Sequence, residues 1–142
     1  LQATILIEKL KKIKSKIISQ INLYKKYQNF FSKNKISGFP EIRSSSVIKD
    51  SYSSFNIIVK RREILIKYFK KYKIPYKIYY PKPLYNQYNL KKNIRFKNTE
   101  FLCKSIISLP FNDISKKRFS KVINSLKKII QNNRKIFFEK KA

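Results

Sequence analysis

The order of hydrophobic patterns along these 142 residues predicts a small α+β domain: a few strands backed by helices, with one long helix leading in. Three observations carry this. Leu6, Leu10, Ile13, Ile17, Ile21, Tyr24, Tyr27 and Phe31 recur at steps of three or four, which makes a single apolar stripe. Phe55, Ile57 and Val59 alternate with Ser54, Asn56 and Ile58, the period-two pattern of a half-buried strand. An aromatic run, Tyr76 to Tyr80, is stopped by Pro81 and Pro83, which lack the donor that a strand ladder requires.

The first helix is expected from Leu1 to about Lys33, with Lys9, Lys12, Lys16 and Lys26 off the stripe and facing water. Such a stripe exceeds what one small domain can cover, and Ile5, Ile7 and Ile18 add apolar surface beyond it. The helix is therefore expected to pack also on a further domain or a second subunit. Gly38-Phe39-Pro40 holds the single glycine of the chain and ends the helix. Ser44-Ser45-Ser46 leads into Val47-Ile48 and then the strand between Tyr52 and Lys60. Arg61 to Tyr72 returns to helical spacing through Leu65, Tyr68, Phe69 and Tyr72. Lys73 stands where a helix feeding a strand favours glycine in the left-handed conformation, at a cost of roughly 1 kcal/mol for a lysine.

Leu84 to Lys97 reads as a loop, after which Asn98 or Thr99 caps a short helix from Glu100 to about Ser105. Ile106 to Pro110 is a brief buried extended segment. Asn112-Asp113-Ile114-Ser115 starts the last helix, whose buried face is Phe119, Val122, Leu126 and Ile129 and whose Lys127 and Lys128 suit the negative end of the dipole. The tail from Lys135 to Ala142 is expected to fray. The pattern divides the chain into a long bridging helix over residues 1–34 and a small α+β domain over residues 35–142.

Composition narrows the chemistry. With no histidine and one cysteine, Cys103, the chain has no histidine base, no internal disulfide and no cysteine metal cluster. No apolar run approaches the roughly 18 to 20 residues of a membrane-spanning helix. There is no signal-peptide pattern, and a cytoplasmic location is expected. The chain contains no methionine and opens on Leu1, which suggests the C-terminal piece of a longer protein. A net charge of +28 calls for an anionic substrate or a polyanionic partner. On that ground a basic RNA- or ribosome-associated module is the competing reading. Abundant Lys, Ile, Asn, Tyr and Phe beside scarce Gly and Ala also match A/T-rich coding.

Four segments share one resemblance. Lys73-Ile74-Pro75-Tyr76-Lys77-Ile78-Tyr79-Tyr80-Pro81-Lys82-Pro83-Leu84-Tyr85-Asn86-Gln87 resembles the "GIPT-x-x-HYP-x-PLH-x-Q" segment of the DegT/DnrJ/EryC1/StrS family, the pyridoxal-phosphate (PLP) sugar aminotransferases. Leu1-Gln2-Ala3-Thr4-Ile5-Leu6 is similar to the "LQAAIL" that opens that family's long bridging helix. Arg61-Arg62-Glu63-Ile64-Leu65 fits its Arg-x-x-Leu helix, and Ser108-Leu109-Pro110 with Asp113-Ile114-Ser115 looks like its "LSLP…LS" ending. The pieces stand in register over almost the whole chain.

The resemblance implies the small C-terminal domain of a fold-type-I aminotransferase. PLP would be held by an N-terminal domain not included here, and neither the family's lysine motif nor its "N-x-R-x-D" element occurs in this chain. It implies a homodimer that moves an amino group from an amino-acid donor, glutamate, to a nucleotide-linked keto-sugar. The positions it matches to substrate contacts are Tyr79 and Tyr80, where the family carries "HY" or "YY", and Lys82, which would meet a diphosphate or a carboxylate. Tyr80 would donate its hydroxyl to the sugar or its phosphates. Tyr85 replaces the family's histidine, Gln87 keeps the family's residue, and Lys73 replaces its glycine.

Overall fold

The computed structural model describes residues 2–40, 52–86, 95–111 and 114–140. Val47-Ile48, Gln87 and Asn112-Asp113 lie outside the described residues. Helix α1 (Gln2–Lys11) and helix α2 (Ile13–Lys33) follow one another with only Lys12 between them. At Lys12 the ladder tightens for one step, its N–H bonding the Lys9 carbonyl at 3.2 Å, while its own carbonyl receives Lys16 N–H at 3.1 Å. The two helices thus continue the single predicted stripe. Its far end, Tyr24, Tyr27, Phe30 and Phe31, is buried. Its near end is not, with Leu6 58% and Leu10 61% exposed.

Lys35, at φ 54°, turns the chain out of α2 into strand β1 (Ile36–Ser37). Strand β2 (Phe55–Ile58) follows the predicted alternation, burying Phe55 and Ile57. It pairs antiparallel with β3 (Ile106–Leu109), Phe55 opposite Leu109 and Ile58 opposite Ile106. Helix α3 (Arg62–Lys71) buries Leu65 and Phe69. Helix α4 (Lys97–Ser105) feeds directly into β3, and α5 (Lys116–Asn132) buries Val122, Leu126, Ile129 and Ile130. Ser115 caps α5 by accepting from Arg118 N–H at 3.3 Å. The core joins these layers around Phe55, whose ring centroid lies 4.8 Å from Tyr24 and 4.8 Å from Tyr27. A mixed architecture of helices and two small sheets agrees with the predicted α+β class.

Three expectations need correction. The tail does not fray over its described length. After a 3-10 turn at Arg134–Ile136, strand β4 (Phe138–Glu139) pairs antiparallel with β1. Arg134 holds it, donating to the Asn34 carbonyl at 2.6 Å and to Glu139 at 3.1 Å, and Ile136 and Phe137 are buried. Secondly, α4 begins three residues before Glu100, and neither Asn98 nor Thr99 caps it. The Phe96 carbonyl accepts from Glu100 N–H at 3.0 Å and sets the first turn. Thirdly, Tyr76 to Tyr80 is not a strand. Lys77 alone bridges to Ser108, because Pro75 lacks a donor and Tyr80, at φ 58°, turns the backbone away from the ladder.

Candidate functional site

The segment that carries the candidate residues is fixed at both ends by the fold. At its start, α3 closes in a left-handed cap: Lys73 N–H bonds the Lys70 carbonyl at 3.2 Å and Ile74 N–H bonds the Phe69 carbonyl at 2.8 Å. Lys73 takes φ 53°, as the sequence predicts for a residue in the glycine position. Ile74 then plugs the core. Lys77 is clamped to β3 by its N–H to the Ser108 carbonyl at 3.1 Å and by its carbonyl to Ser108 N–H at 2.8 Å. At its far end Pro83 is buried, and a 3-10 turn over Leu84–Asn86 closes through Asn86 N–H to the Pro83 carbonyl at 3.0 Å.

Between these anchors the edge stands out into solvent. Tyr79 is 47% exposed and Tyr80 is 78% exposed; neither ring is sunk in the interior. The Lys77 ammonium lies 5.9 Å from the Tyr79 ring centroid, within cation–π range. Two hollows flank the edge. One, of about 590 Å³, lies between Lys73–Tyr79 and α5 and includes Tyr79 in its wall. The other, of about 440 Å³, lies against α4 and includes Lys82. Tyr80 lines neither. The fold thus sets Tyr79, Tyr80 and Lys82 side by side along one edge but does not bring them into one pocket.

Tyr85 turns toward α4, donating its hydroxyl to Glu100 at 3.0 Å and packing 6.0 Å from Phe96. Partial burial, together with that hydrogen bond to a carboxylate, raises the Tyr85 hydroxyl above its ordinary range. Glu100 also has Arg95 at 3.9 Å.

The larger hollow is cationic. Lys73, Lys77, Arg118 and Lys121 all line it, and its described lining includes no carboxylate. Sequence patterning gives no reason to single out Arg118 and Lys121, since they sit off the buried stripe of α5 like any solvated charge. Only the folded position of α5 against Lys73–Tyr79 makes them part of a site. Neither hollow meets the needs of PLP unaided, because the first has no carboxylate to pair with a pyridine nitrogen and the second has Glu100, already engaged by Tyr85 and Arg95. Among the described residues there is no cluster able to hold a metal ion, and no helix is long and apolar enough to cross a membrane.

Known structures share the fold. An aminotransferase of the DegT/DnrJ/EryC1/StrS type from Brucella abortus superposes with a TM-score of 0.75 at 24% identity, covering 90% of this chain and 35% of its own. A putative sugar aminotransferase from Streptococcus pneumoniae, in its PMP form, gives a TM-score of 0.71 at 18% identity, covering 89% of this chain and 33% of its own. The sugar aminotransferase CalS13 from Micromonospora echinospora gives 0.64 at 10% identity, covering 84% and 32%. The chain thus spans about a third of the length of these structures. No curated protein matches it. The model of one family matches residues 1–127, through the leading helix, the braced edge and most of α5, so that the chain belongs to the DegT/DnrJ/EryC1/StrS aminotransferase family.

Proposed function

We propose that this chain is the C-terminal part of a PLP-dependent aminotransferase. The enzyme moves an amino group from glutamate to a nucleotide-linked keto-sugar, for surface polysaccharide or amino-sugar biosynthesis in the cytoplasm. The observation that carries the reading is the family match over residues 1–127, with a braced, solvent-facing tyrosine edge inside the matched region. PLP, when bound to such an enzyme, serves as an electron sink for proton shifts at the substrate carbon. It would be held by a domain other than this one, which leaves the chain inactive alone.

This chain's own residues bind and orient the substrate. Tyr80 offers a hydroxyl to the sugar or its phosphates, Tyr79 forms an apolar wall with a polar tip, and Lys82 meets a diphosphate or a carboxylate. The residues over 1–34 bridge to the cofactor domain, and those over 35–142 form the small domain. The apolar stripe of α1 and early α2, left open at Leu6, Leu10 and Ile13, would be covered by that domain or by the second subunit of a homodimer.

The test is steady-state kinetics on the complete enzyme with PLP, glutamate and a nucleotide-linked keto-sugar. Tyr80→Phe should raise KM for the sugar by about tenfold, the loss of one hydrogen bond of roughly 1.4 kcal/mol, with kcat changed far less. Lys82→Gln should act in the same direction. An enzyme that forms no amino sugar, or one whose KM ignores both changes, would end the proposal.

A further inference from the structure

The tyrosine edge is tied to β3 at both ends, by two separate routes. Its start is tied directly: Lys77 N–H donates to the Ser108 carbonyl at 3.1 Å, and Ser108 N–H donates to the Lys77 carbonyl at 2.8 Å. Its end is tied through α4. Tyr85, in the middle of the 3-10 turn Leu84–Asn86, donates its hydroxyl to Glu100 at 3.0 Å. Glu100 stands in the first turn of α4, and α4 runs without a loop into β3. That junction is itself fixed, since Arg62 Nη1 donates to the Cys103 carbonyl at 2.5 Å and to the Ile106 carbonyl at 3.2 Å.

Between these ties the backbone is not relaxed. Tyr80 is held at φ 58°, a region where a side chain crowds its own backbone. Such a conformation persists where the surrounding structure over-determines it, so an edge released at one end would relax. The turn's own bond, from Asn86 N–H to the Pro83 carbonyl at 3.0 Å, closes the turn without joining it to α4. The Tyr85 hydroxyl makes that join, and a hydrogen bond to a carboxylate is shorter and stronger than a neutral one. Arg95, 3.9 Å from the same carboxylate and 84% exposed, competes weakly for it.

We propose that Glu100 is a positioning residue for the substrate edge: by holding Tyr85 it fixes the far end of the edge, and with it Tyr80 and Lys82, before substrate arrives. The inference rests on the proposed role of those two residues in binding the sugar. Glu100 acts through Tyr85 and not by contact with substrate. An edge held ready in this way is spared an ordering cost on binding. Its loss therefore falls on affinity for the sugar and not on turnover of the bound substrate.

The test pairs kinetics of the complete enzyme with hydrogen exchange read by mass spectrometry. Glu100→Ala and Tyr85→Phe should each raise KM for the keto-sugar by about tenfold, with kcat and KM for glutamate changed less than about twofold. The double variant should be no worse than either single one, because both remove the same bond. Glu100→Gln, whose amide oxygen still accepts the hydroxyl, should restore KM to within about threefold of the parent. Exchange over residues 78–86 should quicken by about tenfold in Glu100→Ala, while exchange over β3 stays as in the parent. A merely structural role would quicken both segments and leave KM alone, and that result overturns the proposal. So do additive losses in the double variant, or Glu100→Gln as impaired as Glu100→Ala. Tyr80→Phe separates the two levels of inference. Where it raises KM and Glu100→Ala does not, the positioning role alone falls; where Tyr80→Phe leaves KM unmoved, the role of the edge falls and the positioning role with it.

Discussion

Gly38 is the residue whose replacement is most constrained by local geometry. It sits at φ 89°, and a Cβ there would lie 2.6 Å from the Ile58 carbonyl oxygen. Its own carbonyl accepts Ile58 N–H at 2.6 Å, so the two backbones cannot separate without losing a bond. Gly38→Ala should destabilise the domain by about 2 to 4 kcal/mol, read from the urea midpoint. Tyr27 gives a second prediction at this scale. Its ring is fully buried and its hydroxyl donates to the Pro110 carbonyl at 2.7 Å. Burial raises that hydroxyl far above its ordinary value of 10.0. The neutral form is therefore favoured by folding, so this contribution to stability is complete below about pH 10. It is lost as pH rises further, at roughly 1.4 kcal/mol per pH unit. Tyr27→Phe should cost about 1 kcal/mol at pH 7 and remove that part of the alkaline slope; identical slopes above pH 10 would refute the assignment. The sequence exposes such positions unevenly. Lys73 can be placed in the left-handed cap because α3 must end and turn there, and a single glycine, Gly38, marks the other tight turn. Arg118 and Lys121 could not be found, because a charge off an apolar stripe looks the same whether it faces bulk water or a cavity.

Elements with strong periodicity were legible and short ones were not. The stripe of α1 and α2, the alternation of β2 and the buried face of α5 each repeat often enough to fix both type and orientation. Strands β1 and β4 have two residues each, too few for any period. Their existence depends on a tertiary anchor, Arg134, bonding a carbonyl 100 positions earlier in the chain. The same limit explains the edge from Tyr76 to Tyr80: β-forming aromatics suggested a strand, but pairing stops at Lys77 because the backbone turns at Tyr80. The residue pattern there indicates extended backbone but not where pairing ends. The tail gives this scale its prediction. Phe137 is 1% exposed and bridges to Val59, linking the two small sheets. Phe137→Ala should therefore cost about 3 to 5 kcal/mol, in the range of a large core truncation. A frayed tail would lose less than about 0.5 kcal/mol in the same thermal melt.

At the scale of the molecule the dominant force is the charge. Thirty-five basic residues face seven acidic ones, and among the described residues the ion pairs Glu8–Lys11, Glu100–Arg95 and Glu139–Arg134 are all local in sequence. Such pairs do little for stability and leave a large uncompensated field that favours expansion of the chain. The core resists it through aromatic packing, with Tyr24, Tyr27, Phe31, Phe55, Phe69 and Phe137 all buried. Those rings are consequently unavailable for stacking on bases, which takes away much of the support that composition gives to an RNA-binding reading. The balance has a measurable consequence. Raising ionic strength shortens the screening length from about 30 Å at 0.01 M to about 8 Å at 0.15 M, which weakens repulsion between surface lysines while leaving apolar burial intact. Tm should therefore rise by several degrees between roughly 0.01 M and 0.15 M sodium chloride. The rise should be smaller in a variant in which Lys14, Lys25, Lys67 and Lys135, all exposed and spread over α2, α3 and the tail, are replaced by glutamine. A Tm that stays flat or falls with salt would mean that the charges are compensated in the fold.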